Sequence, residues 1–297
     1  MTITKREGEL QRLRMVGAMR TDVGRVRSAN EDTVIFVAPA EGSPEGELGS
    51  LALVADGMGG HAAGEVASAI AADVVRRVFY STDVAPPKAL KSAFEMANQV
   101  IFDRAALEPE LHGMGTTCTV IAIRGDRLWL AHVGDTRAYL MRDGALTQLS
   151  DDQTLHAQLV RDGVMTAAEA ERSPGGNIIL QALGPRPTIS PTIWAEGKPL
   201  RRGDSLVLCS DGLHDLVDDD DIERVVSGRD PQDACCELIE RALAGGGHDN
   251  ISVGVFRIVD SEPKATDNLA ATKPILVVDA DVDASDRARQ IVVPLKV

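Results

Sequence analysis

The sequence predicts an α+β domain in which antiparallel strands are combined with helices. Strand-like runs follow one another in groups joined by the hairpin turn signals Gly125-Asp126 and Asp143-Gly144. Helical patterns stand between these groups and do not alternate with single strands, so βαβ units are not indicated. The length of 297 residues allows one large domain or two small ones, and an apolar content of 44% is ordinary for a globular protein.

Short runs of apolar and β-branched residues, bounded by turn residues, predict the strands. They lie at 33–37, 51–55, 117–124, 127–133, 137–141, 146–149, 205–209 and 251–258. A further strand-like run begins at Met15 and reaches a turn at Asp22–Gly24. We expect this run to form a hairpin with the strand at 33–37.

Amphipathic patterns predict the helices, which lie at 62–80, 86–106, 219–227 and 231–243. The second of these begins with Pro86-Pro87, a residue type that suits the first helical turn. The composition of residues 41–48, EGSPEGEL, predicts a loop. A polar, partly helical stretch over about 152–177 interrupts the strands, and we expect it to form a mobile flap.

These elements divide the chain into a charged leader at 1–14, a main domain at 15–259, and a linker with a C-terminal tail at 260–297. The tail is expected to be disordered or to dock as an added strand. The leader lacks the apolar stretch of a secretory signal. No run approaches the ~18 apolar residues of a membrane span, so we expect a cytoplasmic protein that does not enter the membrane.

Acidic residues follow or flank several apolar runs, each beside a glycine or another turn-forming residue. The segments are R-S-A-N-E-D at 27–32, A-D-G-M-G-G at 55–60, G-D-T-R at 134–137, S-D-G at 210–212 and D-N at 249–250. Carboxylates are the ligands that Mg²⁺ and Mn²⁺ prefer, whereas zinc favours thiolate and imidazole. The pattern therefore predicts hydrolysis that depends on a hard divalent cation.

Composition excludes other classes of function. A formal net charge of −14 argues against a nucleic-acid partner, since phosphate backbones require basic surfaces. The four cysteines show no C-x-x-C spacing, so neither a zinc site nor a disulfide framework is indicated. The glycines at 57–64 do not follow the G-x-G-x-x-G order and no P-loop lysine follows them, which excludes a nucleotide-binding loop.

The ordered set R-x-x-x-E-D, D-G-M-G-G, G-T-T, G-D-T-R, S-D-G-L and D-N-I-S resembles the bacterial branch of the metal-dependent protein phosphatases, the type 2C serine/threonine phosphatases. The resemblance covers about residues 15–258. It implies a four-layer α-β-β-α sandwich of two antiparallel sheets flanked by helix pairs. It also implies that the domain at 15–259 is a phosphatase catalytic domain.

The resemblance also implies the metal ligands. Two Mn²⁺ or Mg²⁺ ions are expected, with Asp56 bridging them and the backbone carbonyl of Gly57 on one of them. Asp211 and Asp249 complete the protein ligands of the second ion. Asp135 belongs to a third, weaker metal position, which it shares with Asp211.

Further site residues are expected around the metals. Glu31 and Asp32 act through metal-bound water. The planar guanidinium of Arg27 suits a phosphate clamp, and Arg137 is expected to pair with a nearby acid. Eukaryotic relatives carry a histidine directly after Asp-Gly, where this chain has Met58. His61 is a candidate general acid for the leaving group, and a water on the metal is the alternative.

The activity implied is hydrolysis of phosphoserine and phosphothreonine by a hydroxide that bridges two ions, without a phosphoenzyme. The partners implied are phosphorylated proteins, namely a serine/threonine kinase and its substrates, and we expect a monomer. The alternative is a weak pseudophosphatase or a regulatory module that binds a kinase-signalling partner without turnover. The retained aspartates argue against it.

Overall fold

A computed structural model describes residues 13–59, 63–170, 172–173, 175, 178–261 and 278–279. Its strands are, in chain order, β1 (Leu13–Asp22), β2 (Asp32–Val37), β3 (Ser50–Met58), β4 (Gly115–Thr116), β5 (Cys118–Arg124), β6 (Arg127–Val133), β7 (Arg137–Arg142), β8 (Ala145–Gln148), β9 (Thr192–Ile193), β10 (Lys198–Pro199), β11 (Ser205–Cys209), β12 (Ile251–Asp260) and β13 (Val278–Asp279). Its helices are α1 (Pro44–Leu48), α2 (Ala63–Tyr80), α3 (Pro86–Leu107), α4 (Leu155–Arg161), α5 (Ala167–Ala170), α6 (Asp211–His214), α7 (Asp219–Gly228) and α8 (Pro231–Ala244), with a 3₁₀ turn at Pro109–Leu111.

Two largely antiparallel sheets form the centre of the domain. The first has the order β13-β1-β12-β11-β7-β8, and the second has the order β10-β6-β5-β3-β2, with β4 paired to β3 and β9 paired to β6. The predicted hairpins β5–β6 and β7–β8 are present. β13 adds to the edge of β1 in parallel, with Val278 opposite Arg20. The chain crosses between the sheets from β6 to β7.

Three separate apolar clusters show that the layers are helix, sheet, sheet and helix. One cluster lies between the two sheets and includes Phe36 and Phe256, whose ring centroids are 4.9 Å apart. A second packs α2 and α3 on β3, β5 and β6, and a third packs α7 and α8 on β11 and β12. These layers arise because successive side chains of a strand point to opposite faces of the sheet. In β3, Leu53 faces the helices while Val54 faces the other sheet. The predicted four-layer sandwich is confirmed.

Local sequence signals explain where the helices begin. Asp218 and Asp230 act as N-caps, because their side chains accept hydrogen bonds from the backbone N–H groups of Asp221 (2.8 Å) and Gln232 (3.1 Å). Proline occupies the first turn of α3 and α8. Of the helices in the described part of the chain, none is both long and apolar enough to cross a membrane.

Two sequence predictions were wrong. β1 and β2 do not form a hairpin, because β1 pairs with β12 in one sheet and β2 pairs with β3 in the other. The segment between them, residues 23–31, therefore crosses from one sheet to the other. The predicted loop at 41–48 contains the short helix α1, which the side chain of Ser43 caps by accepting a hydrogen bond from the N–H of Gly46 (3.0 Å).

Candidate metal centre

The predicted aspartates come from both sheets. Asp56 lies near the end of β3, directly opposite Asp32 of β2, so both side chains are on the same face of one sheet. Asp135 lies between β6 and β7, and Asp211 begins α6 directly after β11. Asp249 immediately precedes Asn250 and β12. The ends of strands from two packed sheets therefore supply the carboxylates.

The burial of these carboxyl groups is energetically unfavourable without a counter-charge. Burial, followed by the charges of Asp32, Asp211, Asp135 and Asp249, holds the pKa of Asp56 well above its ordinary value. Burial and neighbouring carboxylates also raise the pKa of Asp211. Both residues keep partial contact with solvent. Their pKa values rise because the carboxyl groups are close together and surrounded by protein.

Two further aspartates show the same effect. Burial, opposed by hydrogen bonds from Ser252 and Ser210, raises the pKa of Asp32 to about 7. Burial and the charge of Asp211 raise the pKa of Asp135 to about 7. Asp135 is 4% exposed. Side chains that resist ionisation in this way are candidates for a cation site or for catalysis.

The donor set fits divalent cations. Asp32, Asp135 and Asp211 each have a buried Oδ1 atom without a hydrogen-bond partner among the described residues. Such oxygens are costly to bury unless they bind something, and here all of them are hard anionic donors. In the part of the chain that is described, no group of three or more acidic, histidine or cysteine side chains is placed to hold one metal ion. Mg²⁺ does not require such a group, since it retains several water ligands.

Gly57 lies where no other residue fits. A Cβ atom at this position would lie 2.2 Å from the backbone oxygen of Gly64 and 2.5 Å from that of Glu31. Its N–H donates to the carbonyl of Glu31 (3.1 Å). The backbone of β3 is therefore packed closely against the start of α2 and the end of the 23–31 segment.

The Gly-Thr-Thr motif holds the backbone of Asp56. The hydroxyl of Thr116 (2.8 Å) and the N–H of Thr117 (2.9 Å) both donate to the carbonyl of Asp56. The N–H of Asp56 in turn donates to the hydroxyl of Thr117 (3.1 Å). This explains why a motif without charged side chains accompanies the aspartates.

Arg27 lies at the rim of the aspartate cluster. Its Nη2 atom donates to Oδ2 of Asp249 at 2.7 Å, and about half of its side chain (52%) is exposed. Glu31 lies nearby, and burial, together with Asp249 and Glu65 but opposed by Arg27, raises its pKa. The predicted general acid His61 lies outside the described residues.

Residues that the sequence motifs did not assign hold the Arg27 segment in place. The side-chain amide of Asn250 donates to the carbonyls of Val23 (3.0 Å) and Ala29 (2.9 Å), and its Oδ1 accepts from the N–H of Glu31 (2.8 Å). The sequence pointed to Asn250 only through the D-N motif, in which its neighbour Asp249 is the proposed ligand. Ser252 ends the D-N-I-S motif but was given no role: its hydroxyl donates to Asp32 at 2.6 Å.

The start of the predicted flap is fixed to the Asp135 segment. Arg137 makes a bidentate pair with Asp152, with distances of 2.6 to 3.1 Å, as expected of an arginine beside an acid. Gln153 donates to the carbonyl of Gly134 (2.7 Å), and its side chain accepts from the N–H of the same glycine (3.1 Å). Helices α4 and α5 follow within the flap.

The family model described as "Protein phosphatase 2C" matches residues 35–236. The chain belongs to the protein phosphatase 2C family. It is 40% identical over 263 residues to the serine/threonine protein phosphatase PstP of Mycobacterium tuberculosis, covering 87% of this chain and 47% of PstP. It therefore spans about half the length of that relative. It is 33% identical to the serine/threonine phosphatase stp of Listeria monocytogenes over 80% of this chain and 94% of stp.

A solved structure shows the same fold. It is the crystal structure of the catalytic domain of PstP in complex with two manganese ions, which is 39% identical to this chain. The TM-score is 0.72, and the match covers 84% of this chain and 100% of that catalytic domain. The likeness thus extends over nearly all of the described domain of this protein phosphatase 2C family member.

Proposed function

We propose that this protein is a metal-dependent protein phosphatase that hydrolyses phosphoserine and phosphothreonine in other proteins. The observation that carries the proposal is the cluster of mutually repelling aspartates with unpartnered buried oxygens. Membership of the protein phosphatase 2C family and the two manganese ions in the PstP catalytic domain support it. The domain at 15–259 would be the catalytic unit.

The ligands we propose are those that the resemblance implies. Asp56 would bridge two ions, the carbonyl of Gly57 would bind one, and Asp211 and Asp249 would bind the other. Asp135 would share a third, weaker position with Asp211. When bound, Mn²⁺ or Mg²⁺ supplies Lewis acidity, which lowers the pKa of a water and neutralises charge on the phosphoryl oxygens.

The other site residues have complementary tasks. Arg27 is exposed and held by Asp249, so it can turn its remaining N–H groups toward a phosphoryl group. Glu31 and Asp32 would orient water around the ions, and Asp32 is itself held by Ser252. Proton donation to the leaving alkoxide by His61 stays a prediction.

The proposed substrates are phosphorylated proteins, and the partners are a serine/threonine kinase and its targets. The rival function is a regulatory module that binds a phosphoprotein without turnover. It would not need a cluster whose buried oxygens are left without partners. A cytoplasmic location and a monomeric state stay predictions from the sequence.

The test is phosphate release from a phosphothreonine peptide with Mn²⁺ or with excess EDTA. We expect turnover only with the metal, and none from Asp211→Asn, which removes one charge from the cluster. Asp126→Asn is the matched control, because it removes the same charge from the exposed turn between β5 and β6. Full activity in EDTA would refute the proposal, and so would wild-type protein that binds the peptide without releasing phosphate.

A further inference from the structure

A buried histidine lies beside the aspartate cluster and has no task in the proposed reaction. His214 is the last residue of α6, and its side chain is 5% exposed. Asp211 begins the same short helix three residues earlier, and side chains at this spacing lie on the same face. The position of one residue is therefore linked to the position of the other.

The imidazole of His214 connects α6 to the segment that carries Asp135. Its Nε2 atom lies 3.1 Å from the backbone carbonyl oxygen of Asp135. A carbonyl can only accept a hydrogen bond, so Nε2 carries the proton in this contact. Its Nδ1 atom lies 3.3 Å from Oδ1 of Asp215, a distance typical of a charge contact, but without the geometry of a hydrogen bond.

The side chains of the two aspartates do not fix each other's position. Asp135 and Asp211 each have a buried Oδ1 atom that makes no hydrogen bond with any of the described residues. The backbone around Asp135 is instead held at two points. Gln153 binds Gly134 on one side. On the other side, His214 binds the carbonyl of Asp135 itself, and this second contact leads to the helix of Asp211.

We propose that His214 is a positioning residue that fixes Asp135 relative to Asp211 and thereby sets the metal affinity of the position that these two aspartates share. The inference rests on the proposed function, in which both residues bind the third, weaker ion. Groups that orient metal ligands typically contribute 10–100-fold to affinity. The ladder between β7 and β11 also joins the two segments, but it ends at the pair Arg137–Cys209, and the contact of His214 is the one that reaches the backbone of Asp135 itself.

Three variants separate this contact from the rest of the side chain. His214→Gln can place an amide N–H near the position of Nε2, His214→Asn can place one only near Nδ1, and His214→Leu has neither. Manganese binding is measured by calorimetry and by the electron paramagnetic resonance of free Mn²⁺, alongside the manganese dependence of turnover. His112→Leu is the control, since His112 is exposed after the 3₁₀ turn.

We expect His214→Asn and His214→Leu to lower the manganese affinity of the weak phase alone, which is binding at the third position, by about 10–100-fold. The tight phase should be unchanged, and His214→Gln should resemble wild type. Because Asn and Gln are both polar, their comparison holds even where Leu fails to fold.

Equal weak-phase affinity in the His214→Asn and His214→Gln variants would overturn the inference. An equal loss of manganese affinity at every metal position would also overturn it, because such a loss indicates a merely structural role. Wild-type protein without manganese binding would overturn the proposed function and this inference with it. Wild-type binding that no His214 variant alters would overturn the inference alone.

Discussion

Replacing Asp135 by asparagine should stabilise the metal-free protein, although it removes a proposed metal ligand. The folded protein raises the pKa of Asp135 from 3.8 to about 7, chiefly through burial and the charge of Asp211. Between these pH values the folded state keeps a proton that the unfolded chain has released. Stability is therefore lost as the pH rises from about 4 to about 7 and stays low above that. Asparagine cannot ionise, so it avoids this loss.

The magnitude follows from the two pKa values. Each pKa unit corresponds to about 1.4 kcal/mol, so Asp135→Asn should raise the free energy of unfolding by about 1 to 2 kcal/mol at pH 5 and by at most about 4 kcal/mol at pH 8. The assay is urea unfolding in EDTA at both pH values. Asp126→Asn, in an exposed turn, should show neither gain. If the Asp135→Asn protein is no more stable than wild type at pH 8, ionised Asp135 does not destabilise the metal-free fold, and the prediction is wrong.

Four further outcomes are expected. Asp56→Asn should abolish manganese-dependent turnover of p-nitrophenyl phosphate, and residual turnover above a few per cent would contradict its bridging role. Arg27→Ala should raise KM for phosphopeptides, because it removes ~1.5–3 kcal/mol of binding free energy, the contribution of a hydrogen bond to a charged group. A fall in kcat at unchanged KM would disprove a clamp on the ground-state phosphate. Gly57→Ala should lower the Tm, because its Cβ would lie 2.2 Å from the oxygen of Gly64; an unchanged Tm would show that the backbone moves apart. Truncation after Asp260 should leave p-nitrophenyl phosphate turnover within about twofold and the Tm nearly unchanged, and misfolding would assign the tail to the catalytic domain.

Elements with strong local signals were predictable from the sequence. The hairpins at Gly125-Asp126 and Asp143-Gly144 have turn residues suited to their backbone, with positive φ at Gly125 and Asp143. The helices α2, α3, α7 and α8 show amphipathic patterns, and the last three also have proline or aspartate at their starts. The false hairpin between β1 and β2 has a physical reason. β1 pairs with the distant strand β12 while β2 pairs with the next strand, β3, and no local pattern specifies which partner is chosen.

The site was predictable only in part. The aspartates could be found, because apolar runs and glycine or another turn-forming residue mark their positions in the sequence. The contacts of Asn250, Ser252 and His214 could not, since each of these side chains reaches a segment that is remote in sequence. Asn250 binds the carbonyls of Val23 and Ala29, for example, more than 200 residues away. Such contacts arise only when distant strands pair and the two sheets pack together.

The stoichiometry of manganese binding shows whether the buried aspartates form the metal site. Calorimetric titration of metal-free wild-type protein should show two tightly bound ions, which is the number of manganese ions in the crystal structure of the PstP catalytic domain. Asp56→Asn should lose tight binding of both, since Asp56 is proposed to bridge them, while Asp126→Asn should bind as wild type does. Two tight ions in Asp56→Asn, or no tight ion in the wild-type protein, would contradict the account.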